Sequence, residues 1–393
     1  MAETMTNRRS GAGVGTVPEL GEAEVPKRRR SARRSTDRFS PRDLGAFGFL
    51  IPFLLAYALF MLYPVLQAAV MSFYNWDFLD ITRRETIGLE NFRRMFWGTE
   101  MTWSIDRLWP LRLVVLLLLV PLFRAMRKGS LPAASAVSFA VLAVAIFGVG
   151  LGFHPGEGGR WFDSQFWLSF GNTLLFVAMS TPVIVGTGLA LALALNRQGR
   201  MVGVLRAMFF APYVLSVAVL TLIWAFLLNP GIGLVGIFGD WFGFEPINLL
   251  NSTTWAMPAI VLATLWWTVG FNLVLFLAGL QDIDKQQYEA AAIDGANWWQ
   301  TFWNITVPGL KRTIRLVVVL QVIYSFQIFG QVFIMTRGGP DGATRVLIQH
   351  IFERGFRDFE LGYASAMSIV LFLAIILVSV VQFVLLPKGE DEA

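Results

Sequence analysis

Uncharged polar residues interrupt one of the long apolar runs in the C-terminal half of the chain. Gln321, Tyr324, Ser325 and Gln331 fall close to one stripe of a predicted helix, with Gln327 to one side of it. Carboxamides and hydroxyls donate and accept hydrogen bonds without carrying charge. Such a stripe suits reversible binding of a neutral, hydroxyl-rich compound, and the alternative is that these groups hydrogen-bond neighbouring helices.

The preceding apolar run carries a second set of candidate contacts. Trp266 offers an aromatic surface, Gly270 a point of close approach and Asn272 a hydrogen-bonding amide, and Tyr213 adds another ring earlier in the chain. The predicted substrate-binding residues are therefore Tyr213, Trp266, Gly270, Asn272, Gln321, Tyr324, Ser325 and Gln331.

Covalent and metal chemistry have few candidate residues. The chain has no cysteine, and its two histidines, His154 and His350, are predicted to lie in separate loops, so we expect no metal or catalytic site. It also lacks the G-x-x-x-x-G-K-[ST] run that cradles ATP phosphates. The predicted spans carry no acidic residue, whereas proton- or sodium-driven carriers more often have an intramembrane carboxylate. We therefore predict that the chain is not an enzyme and that any driving energy comes from another protein.

The composition is that of a membrane protein. Hydrophobic residues make up 55% of the chain and charged residues 15%, against roughly 45–50% and 25% in soluble domains. Long uncharged apolar runs predict an all-α polytopic membrane protein, because helices satisfy every backbone polar group within lipid. The net charge of +5 mostly reflects a basic N-terminal tail, and we expect no nucleic-acid partner.

The apolar runs predict eight spans. Two of them, 108–123 and 131–153, flank the basic turn RAMRKG and are interpreted as an inserted transmembrane hairpin. The first arm is short and contains Arg112, which could reach the membrane interface. The other six predicted spans are 46–73, 168–195, 207–228, 255–280, 316–335 and 362–386.

Basic residues set the predicted domain organisation and orientation. Residues 1–42 form a disordered basic cytoplasmic tail, 43–107 the first transmembrane helix and an outer loop, 108–153 the inserted hairpin, and 168–387 the main membrane domain. Lysines favour the cytoplasmic side. An orientation with both termini in the cytoplasm places every lysine there: Lys27, Lys128, Lys285, Lys311 and Lys388.

A polar segment within 283–310 predicts a helix–turn–helix beside the membrane. Asp284 is expected to cap a helix that begins at Lys285, with Gln287 as its reciprocal partner. Gly295 can end that helix or let the chain turn.

The second helix of this segment is predicted to begin after Asn297 and to end or restart at Pro308. Trp298, Phe302 and Ile305 then fall on one face, as an amphipathic helix requires.

This segment resembles the cytoplasmic EAA loop of the membrane subunits of bacterial ATP-binding-cassette (ABC) importers. The family pattern is E-A-A, three residues, Gly, nine residues, Ile, one residue and Leu-Pro, and only Val307 departs from it. The resemblance implies a type I ABC importer transmembrane fold, with six family-like helices and the inserted hairpin outside the pattern. It also implies that the loop docks in a cleft of an ATPase subunit through Glu289, Ala290, Ala291, Asp294, Gly295, Ile305 and Pro308.

A second run, TRGGPDGAT at 336–344, resembles the T-x-G-G-P run of carbohydrate-importer permeases, and the polar stripe resembles positions that line the sugar pocket of maltose-type permeases. The resemblance implies a permease of the bacterial plasma membrane for a di- or oligosaccharide. Its implied partners are a second permease, an ABC ATPase dimer that binds ATP and Mg²⁺, and an extracytoplasmic sugar-binding protein. The chain itself would hold no cofactor.

Two alternatives remain open at this point. A glycerol-phosphate importer belongs to the same class, and the absence of Arg or Lys on the polar stripe argues against it. A secondary transporter or channel belongs to another class and would need no ATPase.

Overall fold

The computed structural model describes residues 50–76, 85–96, 101–103, 153–155, 163–243 and 245–385. The chain divides into two compact units, 1–58 and 59–393, and of the first unit only 50–58 are described. The predicted basic tail and almost all of the predicted hairpin at 108–153 lie outside the described residues.

The first helix, α1 (Leu50–Met71), contains a π-helical turn at Ala58–Leu62. It is followed by two short antiparallel strands, β1 (Tyr74–Asn75) and β2 (Glu85–Thr86), and by helix α2 (Glu90–Phe96). The Asn91 amide of α2 donates to the backbone carbonyls of Ser72 and Tyr74, at 2.9 and 3.1 Å. These bonds fasten α2 to the end of α1.

A second antiparallel pair joins β3 (Met101–Trp103) to β4 (Phe153–Pro155), with Trp103 opposite Phe153. The sequence predicted Phe153 at the end of a membrane helix and His154 in a loop, and both assignments are wrong because these residues pair with β3. The pairing brings Trp103 and Phe153 side by side, although 49 residues, 104–152, separate them in the chain.

Helix α3 (Ser164–Ala194) begins four residues before the predicted span. Its start is set by Asp163, whose Oδ1 accepts hydrogen bonds from the backbone N–H groups of Gln165 and Phe166, both at 3.0 Å. At the other end, the Arg206 guanidinium donates to the Leu195 carbonyl at 2.7 Å.

The span predicted at 207–228 is broken. Helix α4 (Arg200–Phe210) runs into a 3₁₀ turn at Ala211–Val214, and α5 (Val217–Leu227) leaves at an angle of 102°. Pro212 has no N–H to continue the α-helical ladder. Ser216 then starts α5, because its Oγ accepts from the Val219 N–H at 3.4 Å.

A short helix, α6 (Leu234–Phe242), precedes the long helix α7 (Ala256–Asp282), which packs against α3, α4 and α10. The segment after α7 contains α8 (Lys285–Ile293) and α9, which begins as Trp298–Thr301, continues through the π-helical Phe302–Thr306 and ends with Val307–Gly309.

The span predicted at 316–335 is also broken. Helix α10 (Lys311–Phe326) begins five residues earlier than predicted, and α11 (Gly330–Met335) follows a tight turn. The Gln327 N–H bonds to the Tyr324 carbonyl at 3.1 Å, which closes the end of α10. Gly330 permits close packing of α11 on α5, because a Cβ there would lie 2.9 Å from Val217 Cγ2.

The C-terminal part consists of α12 (Leu347–Phe352), a π-helical segment at Glu353–Arg357 and the long helix α13 (Leu361–Leu385). His350 therefore lies in a helix, and its predicted place in a loop is wrong.

Four described helices are long and apolar enough to cross a membrane, and the bent pair α4–α5 brings the number to five. Helices α10 and α11 are each too short to be counted as a span, because the turn at 327–329 divides them. The predicted total of eight spans stays a prediction, since its hairpin lies outside the described residues. The four helices are Leu50–Met71, Ser164–Ala194, Ala256–Asp282 and Leu361–Gln382.

The buried core is divided into three clusters that share α3. One centres on Ile260 of α7 and Val332 of α11, and a second on Phe166, Phe326 and Met367. The third joins the ends of α3, α7 and α10 beneath the α8–α9 segment. Helix α3 thus contributes to all three clusters, and α7 contributes to the first and the third.

Candidate functional site

A partly open cavity of about 480 Å³ lies between α3, the 3₁₀ turn, α5, α7, α10 and α11. The described residues that line it are all uncharged. They are Phe176, Tyr213, Val217, Thr264, Trp267, Thr268, Phe271, Gln321, Tyr324, Ser325, Gln327, Ile328, Phe329, Gly330 and Gln331.

All four residues of the predicted stripe line this cavity, and so does Tyr213. Tyr213, Gln321, Tyr324, Ser325 and Gln331 line it together. Gln327, predicted to lie to one side, lines it as well, because α10 ends at Phe326 and the following turn redirects the chain.

Trp266 does not line this cavity. It borders a separate, mostly apolar cavity of about 480 Å³ and makes an edge contact with Trp224, with ring centroids 6.1 Å apart. Its neighbour Trp267 takes the predicted aromatic place and donates its Nε1–H to the Leu215 carbonyl at 3.2 Å. One step along a helix turns a side chain by about 100°, which separates the two rings.

Gly270 is a helix-packing position. A Cβ there would lie 2.2 Å from the Phe209 carbonyl oxygen and 2.7 Å from the Phe210 Cα. The missing side chain lets α7 pass directly against the end of α4, and Gly270 does not line the cavity.

Asn272 lies behind the cavity wall rather than on it. Its Nδ2 donates to Gln321 Oε1 at 3.1 Å and to the Thr268 carbonyl at 3.2 Å. Gln321 Nε2 donates to Ser325 Oγ at 3.2 Å, and Ser325 Oγ lies 3.0 Å from Ser180 Oγ. These buried bonds connect α7, α10 and α3 through one polar chain.

Aromatic rings form another wall of the cavity. Tyr213 stacks on Phe271 with a centroid distance of 5.1 Å, and Phe271 meets Tyr324 edge-on at 6.4 Å. The Trp267 ring lies 6.5 Å from Tyr213. Flat apolar faces beside hydrogen-bonding groups match the two sides of a sugar ring.

The sequence-based prediction missed four lining residues of α7, namely Thr264, Trp267, Thr268 and Phe271. Their spacing of three, one and three residues places them on one face of a helix. The spacing can be read from the sequence, but it identifies these residues only if this face of α7 is taken to meet the polar stripe of α10.

The α8–α9 segment forms the predicted helix–turn–helix. Asp284 Oδ1 accepts from the Gln286 N–H at 2.9 Å and begins α8. At its end, Gly295 adopts φ +73°, and the N–H groups of Gly295 and Ala296 bond the carbonyls of Ala292 and Ala291. This is the Schellman arrangement with glycine in the left-handed position, so the prediction that Gly295 ends the helix is confirmed.

The reciprocal cap predicted at Asp284 and Gln287 forms at the next helix instead. Asn297 Oδ1 accepts from the Gln300 N–H at 2.9 Å, and Gln300 Oε1 accepts from the Asn297 N–H at 2.8 Å. These bonds start α9 where the sequence predicted it.

The predicted single face of α9 is divided. Trp298 stacks on Phe302 at 5.4 Å, but Ile305 packs inward against the core cluster formed by the ends of α3, α7 and α10. The π-helical segment at Phe302–Thr306 explains the change, because its extra residue per turn rotates Ile305 away from Trp298.

The segment is anchored to the membrane domain. The Tyr288 hydroxyl lies 3.1 Å from Thr306 Oγ1, which joins α8 to α9, and Tyr288 and Ile305 both pack on the core cluster below. Pro308 stands in the last turn of α9, Val307–Gly309.

Away from the anchor, the segment presents an exposed surface. Of the predicted docking residues, Glu289, Ala290, Asp294 and Gly295 are exposed, whereas Ala291 is buried. Large apolar side chains beside them are also exposed, with Ile293 at 86%. The others are Trp298, Trp299 and Trp303. Contiguous exposed apolar patches are a feature of interaction sites, which is consistent with the predicted docking surface.

A buried polar cluster lies at the opposite end of α3. Asp163 Oδ2 accepts from the Tyr363 hydroxyl at 2.7 Å and lies 3.1 Å from His350 Nε2. Burial raises the pKa of Asp163, but hydrogen bonds from His350 and Tyr363 outweigh it and hold the pKa well below its ordinary value. No group of three or more metal-ligating His, Cys, Asp or Glu residues occurs in the part of the chain that the structure describes.

The loop at 336–346 packs close to this cluster. The Thr344 hydroxyl donates to the Gly339 carbonyl at 2.7 Å, and the Asn172 amide of α3 donates to the carbonyls of Gly342 and Arg345 at 2.8 and 3.0 Å. The Gly-Pro run is therefore folded back and tied to α3.

A helical membrane frame, an uncharged central cavity and an exposed helical segment below it define an integral-membrane permease. The family of binding-protein-dependent transport system inner membrane components matches residues 183–389, and the chain belongs to this family. The chain is thus a membrane component of an ABC transporter, as the sequence-based resemblance predicted.

Curated relatives support this assignment. The chain is 34% identical over 227 residues to the sn-glycerol-3-phosphate transport system permease protein UgpA of Agrobacterium fabrum, covering 58% of this chain and 77% of the relative. It is 33% identical to the lactose transport system permease protein LacF of Rhizobium radiobacter, covering 57% and 76%. It is 35% identical to the multiple sugar-binding transport system permease protein MsmF of Streptococcus mutans, covering 58% and 78%.

Solved structures share the fold. A bacterial ABC transporter involved in the import of the acidic polysaccharide alginate aligns with a TM-score of 0.62 at 18% identity, covering 87% of this chain and 94% of that one. The same kind of transporter in complex with an alginate pentasaccharide-bound periplasmic protein aligns with a TM-score of 0.53 at 20% identity, covering 70% and 96%.

Proposed function

We propose that this permease translocates a neutral di- or oligosaccharide through an ATP-driven importer. The observation that carries the proposal is the cavity between α7 and α10, in which uncharged hydrogen-bonding groups face stacked aromatic rings. Carboxamides and hydroxyls meet sugar hydroxyls as donors and acceptors, and the rings of Tyr213 and Phe271 cover the apolar side of a sugar. Relatives named for lactose and multiple-sugar transport support this choice.

Glycerol phosphate is the second candidate, because a relative at 34% identity is named for its transport. A phosphate held inside a membrane domain would normally be paired with Arg or Lys. The described residues that line the cavity include neither, which favours the neutral sugar.

We propose that an ABC ATPase dimer docks on the α8–α9 segment and supplies the energy, with ATP and Mg²⁺ bound by that dimer. In this contact Glu289 provides a polar group, and Ala290 and Gly295 provide a surface without large side chains. The exposed rings of Trp299 and Trp303 lie beside them. Asp294 caps the docking helix, and Ile305 and Pro308 transmit its movement to α10. A second permease chain and an extracytoplasmic binding protein complete the importer.

We propose that both termini lie in the cytoplasm. The lysines of the described residues, Lys285 and Lys311, lie at the end of the membrane helices where Arg197 and Arg200 follow α3, whereas the arginines of 336–357 at the other end are interspersed with acidic residues. The connection 229–254 at the other end contains no Lys or Arg. This distribution follows the preference of basic residues for the cytoplasmic side. In this orientation 43–107 carries the first helix and an outer loop, and 168–387 is the permease domain.

Uptake by the reconstituted importer tests the proposal. The chain and its partners are placed in proteoliposomes and offered radiolabelled maltose, lactose, trehalose and sn-glycerol 3-phosphate. We expect import of a sugar, and we expect Gln321→Ala and Ser325→Ala to lower its uptake while ATPase stimulation by the loaded binding protein survives in part. Thr221→Val, which removes a hydroxyl bonded only within α5, serves as the control.

Three results would contradict the proposal. Import of sn-glycerol 3-phosphate alone would show that the substrate is the second candidate and not a sugar. Import without any co-purifying ATPase would indicate a secondary transporter or channel. Unchanged uptake of every sugar by both variants would move the binding site away from this cavity.

A further inference from the structure

The orientation of the Gln321 amide follows from a chain of hydrogen bonds that begins at a backbone carbonyl. Asn272 Nδ2 lies 3.2 Å from the Thr268 carbonyl oxygen and 3.1 Å from Gln321 Oε1. A carbonyl oxygen only accepts hydrogen bonds, so Asn272 must turn its NH₂ group towards it. An NH₂ group only donates, so Gln321 must in turn present its oxygen to Asn272.

The nitrogen of Gln321 therefore faces away from α7. Nε2 has two N–H bonds, and one of them donates to Ser325 Oγ at 3.2 Å. Among the described residues, no second acceptor meets this nitrogen. Gln321 is only 4% exposed and lines the cavity. The second N–H is therefore available to an acceptor of a compound bound in the cavity.

The threonine side chains of α7 that line the cavity offer hydrogen-bond acceptors, in contrast to the donor of Gln321. The hydroxyls of Thr264 and Thr268 donate to the carbonyls of Ile260 and Thr264, each at 2.8 Å. Each hydroxyl has a single hydrogen, so these two side chains can offer only lone pairs to the cavity. Both threonines line the cavity, as Gln321 does.

We propose that Gln321 presents a hydrogen-bond donor, and not an acceptor, to the transported compound, and that Asn272 is the positioning residue that fixes this polarity. The inference rests on the proposed function of the cavity. The group that meets Gln321 is an acceptor oxygen, such as a sugar hydroxyl or ether oxygen. The threonines of α7 receive hydrogens from other substrate hydroxyls.

Paired substrate analogues test this polarity. A fluoro derivative has fluorine, a weak hydrogen-bond acceptor, in place of one hydroxyl. A deoxy derivative has only hydrogen there and therefore no acceptor. The reconstituted importer is first offered maltose, lactose, trehalose and sn-glycerol 3-phosphate. Uptake of the compound that it imports is then measured in competition with the monofluoro and monodeoxy derivatives of that compound, one hydroxyl position at a time. We expect one position at which the fluoro derivative competes about 3- to 10-fold better than the deoxy derivative.

Two variants assign that position. Gln321→Met is similar in size and has no N–H, so the fluoro and deoxy derivatives should compete equally there. Asn272→Leu leaves Gln321 in place but frees its amide to rotate. It should therefore raise the KM and reduce the fluoro–deoxy difference while the maximal rate persists in part. Thr221→Val should leave the difference unchanged, since its hydroxyl bonds only within α5.

The outcomes separate the inference from the proposed function. Import of sn-glycerol 3-phosphate alone would refute the sugar, and the fluoro–deoxy pair at its C2 hydroxyl would still decide the polarity of Gln321. The inference is overturned if no position shows a fluoro–deoxy difference that both Gln321→Met and Asn272→Leu reduce. If none of the four compounds is imported, the proposed function and the inference fall together.

Discussion

Two glycines of this permease are required for different physical reasons. Gly270 lacks space, since a Cβ would meet the Phe209 carbonyl at 2.2 Å. Gly295 has open space around it, with nothing within 4 Å of a Cβ, but its φ of +73° is one that most L-residues rarely adopt. Substitution therefore acts through packing at Gly270 and through the backbone at Gly295.

Gly295→Val should uncouple transport without removing the chain from the membrane. A β-branched residue opposes the positive φ, by roughly 1 kcal/mol or more, and so opens the Schellman turn between α8 and α9. We expect uptake to fall several-fold while the protein level in the membrane stays near that of the parent. Uptake is measured together with co-purification of the ATPase.

The matched control is Gly295→Asn, because asparagine tolerates the left-handed region and the site has room for it. Equal loss of uptake in the Asn and Val variants would show that backbone strain is not the cause. Normal uptake in the Val variant with a complete complex would refute a role of this turn in coupling.

The role of a residue was predicted correctly where it depends on local turn and capping chemistry. The prediction failed where the role depends on which face of a helix meets its neighbour. Gly295 and Asn297 were assigned correctly from turn and capping chemistry alone. Trp266 was preferred to Trp267 because the sequence does not show which face of α7 meets α10. The place of Asn272 behind Gln321 depends on the same packing.

At the scale of elements, helix breaks were harder to predict than helix positions. Each span predicted between 168 and 386 corresponds to described helices, but two of them are interrupted. Pro212 marked one break in the sequence. The break after Phe326 carries no proline or glycine before Gly330, and it arises where α11 packs against α5.

Asp163 joins three elements, since it caps α3 and bonds His350 of α12 and Tyr363 of α13. Its folded pKa lies below the ordinary value of 3.8. The carboxylate therefore stabilises the folded state above about pH 3.8, and this contribution is lost as the pH falls through the folded pKa.

Asp163→Asn should lower the melting temperature at pH 7, because a charge-assisted bond between helices contributes about 1.5–3 kcal/mol. The difference from the parent should shrink as the pH falls below about 3.8. Thermal unfolding of the detergent-solubilised protein, followed from pH 2 to 8, measures it. The exposed Asp341→Asn is the control, and a difference that does not change with pH would contradict the assignment to the carboxylate charge.

At the scale of the whole molecule, the sequence predicts a transmembrane hairpin at 108–153, of which only Phe153 is among the described residues. The pairing of Trp103 with Phe153 brings its two ends together. We therefore predict that the segment between them crosses the membrane an even number of times. This agrees with two arms around the basic turn at Arg127 and Lys128, which we predict to be cytoplasmic.

Single introduced cysteines test this topology, because the chain has none of its own. In intact cells, Gly129→Cys should resist a membrane-impermeant thiol reagent and should react after the membrane is opened. A cysteine at Ile232, an exposed residue of the proposed outer connection, is the control and should react from outside. Labelling of Gly129→Cys in intact cells would refute the hairpin.

The short ladder between β3 and β4 also makes the chain between them exchangeable. Facing Cα atoms in such a ladder lie roughly 4.5–5.5 Å apart, a distance that an Asn-Gly turn closes. We therefore expect that the two strands can be rejoined by a short turn in place of residues 104–152, or that a foreign domain with neighbouring termini can be inserted between Trp103 and Phe153. In either graft the pairing of Met101 with Pro155 and of Trp103 with Phe153 is expected to persist.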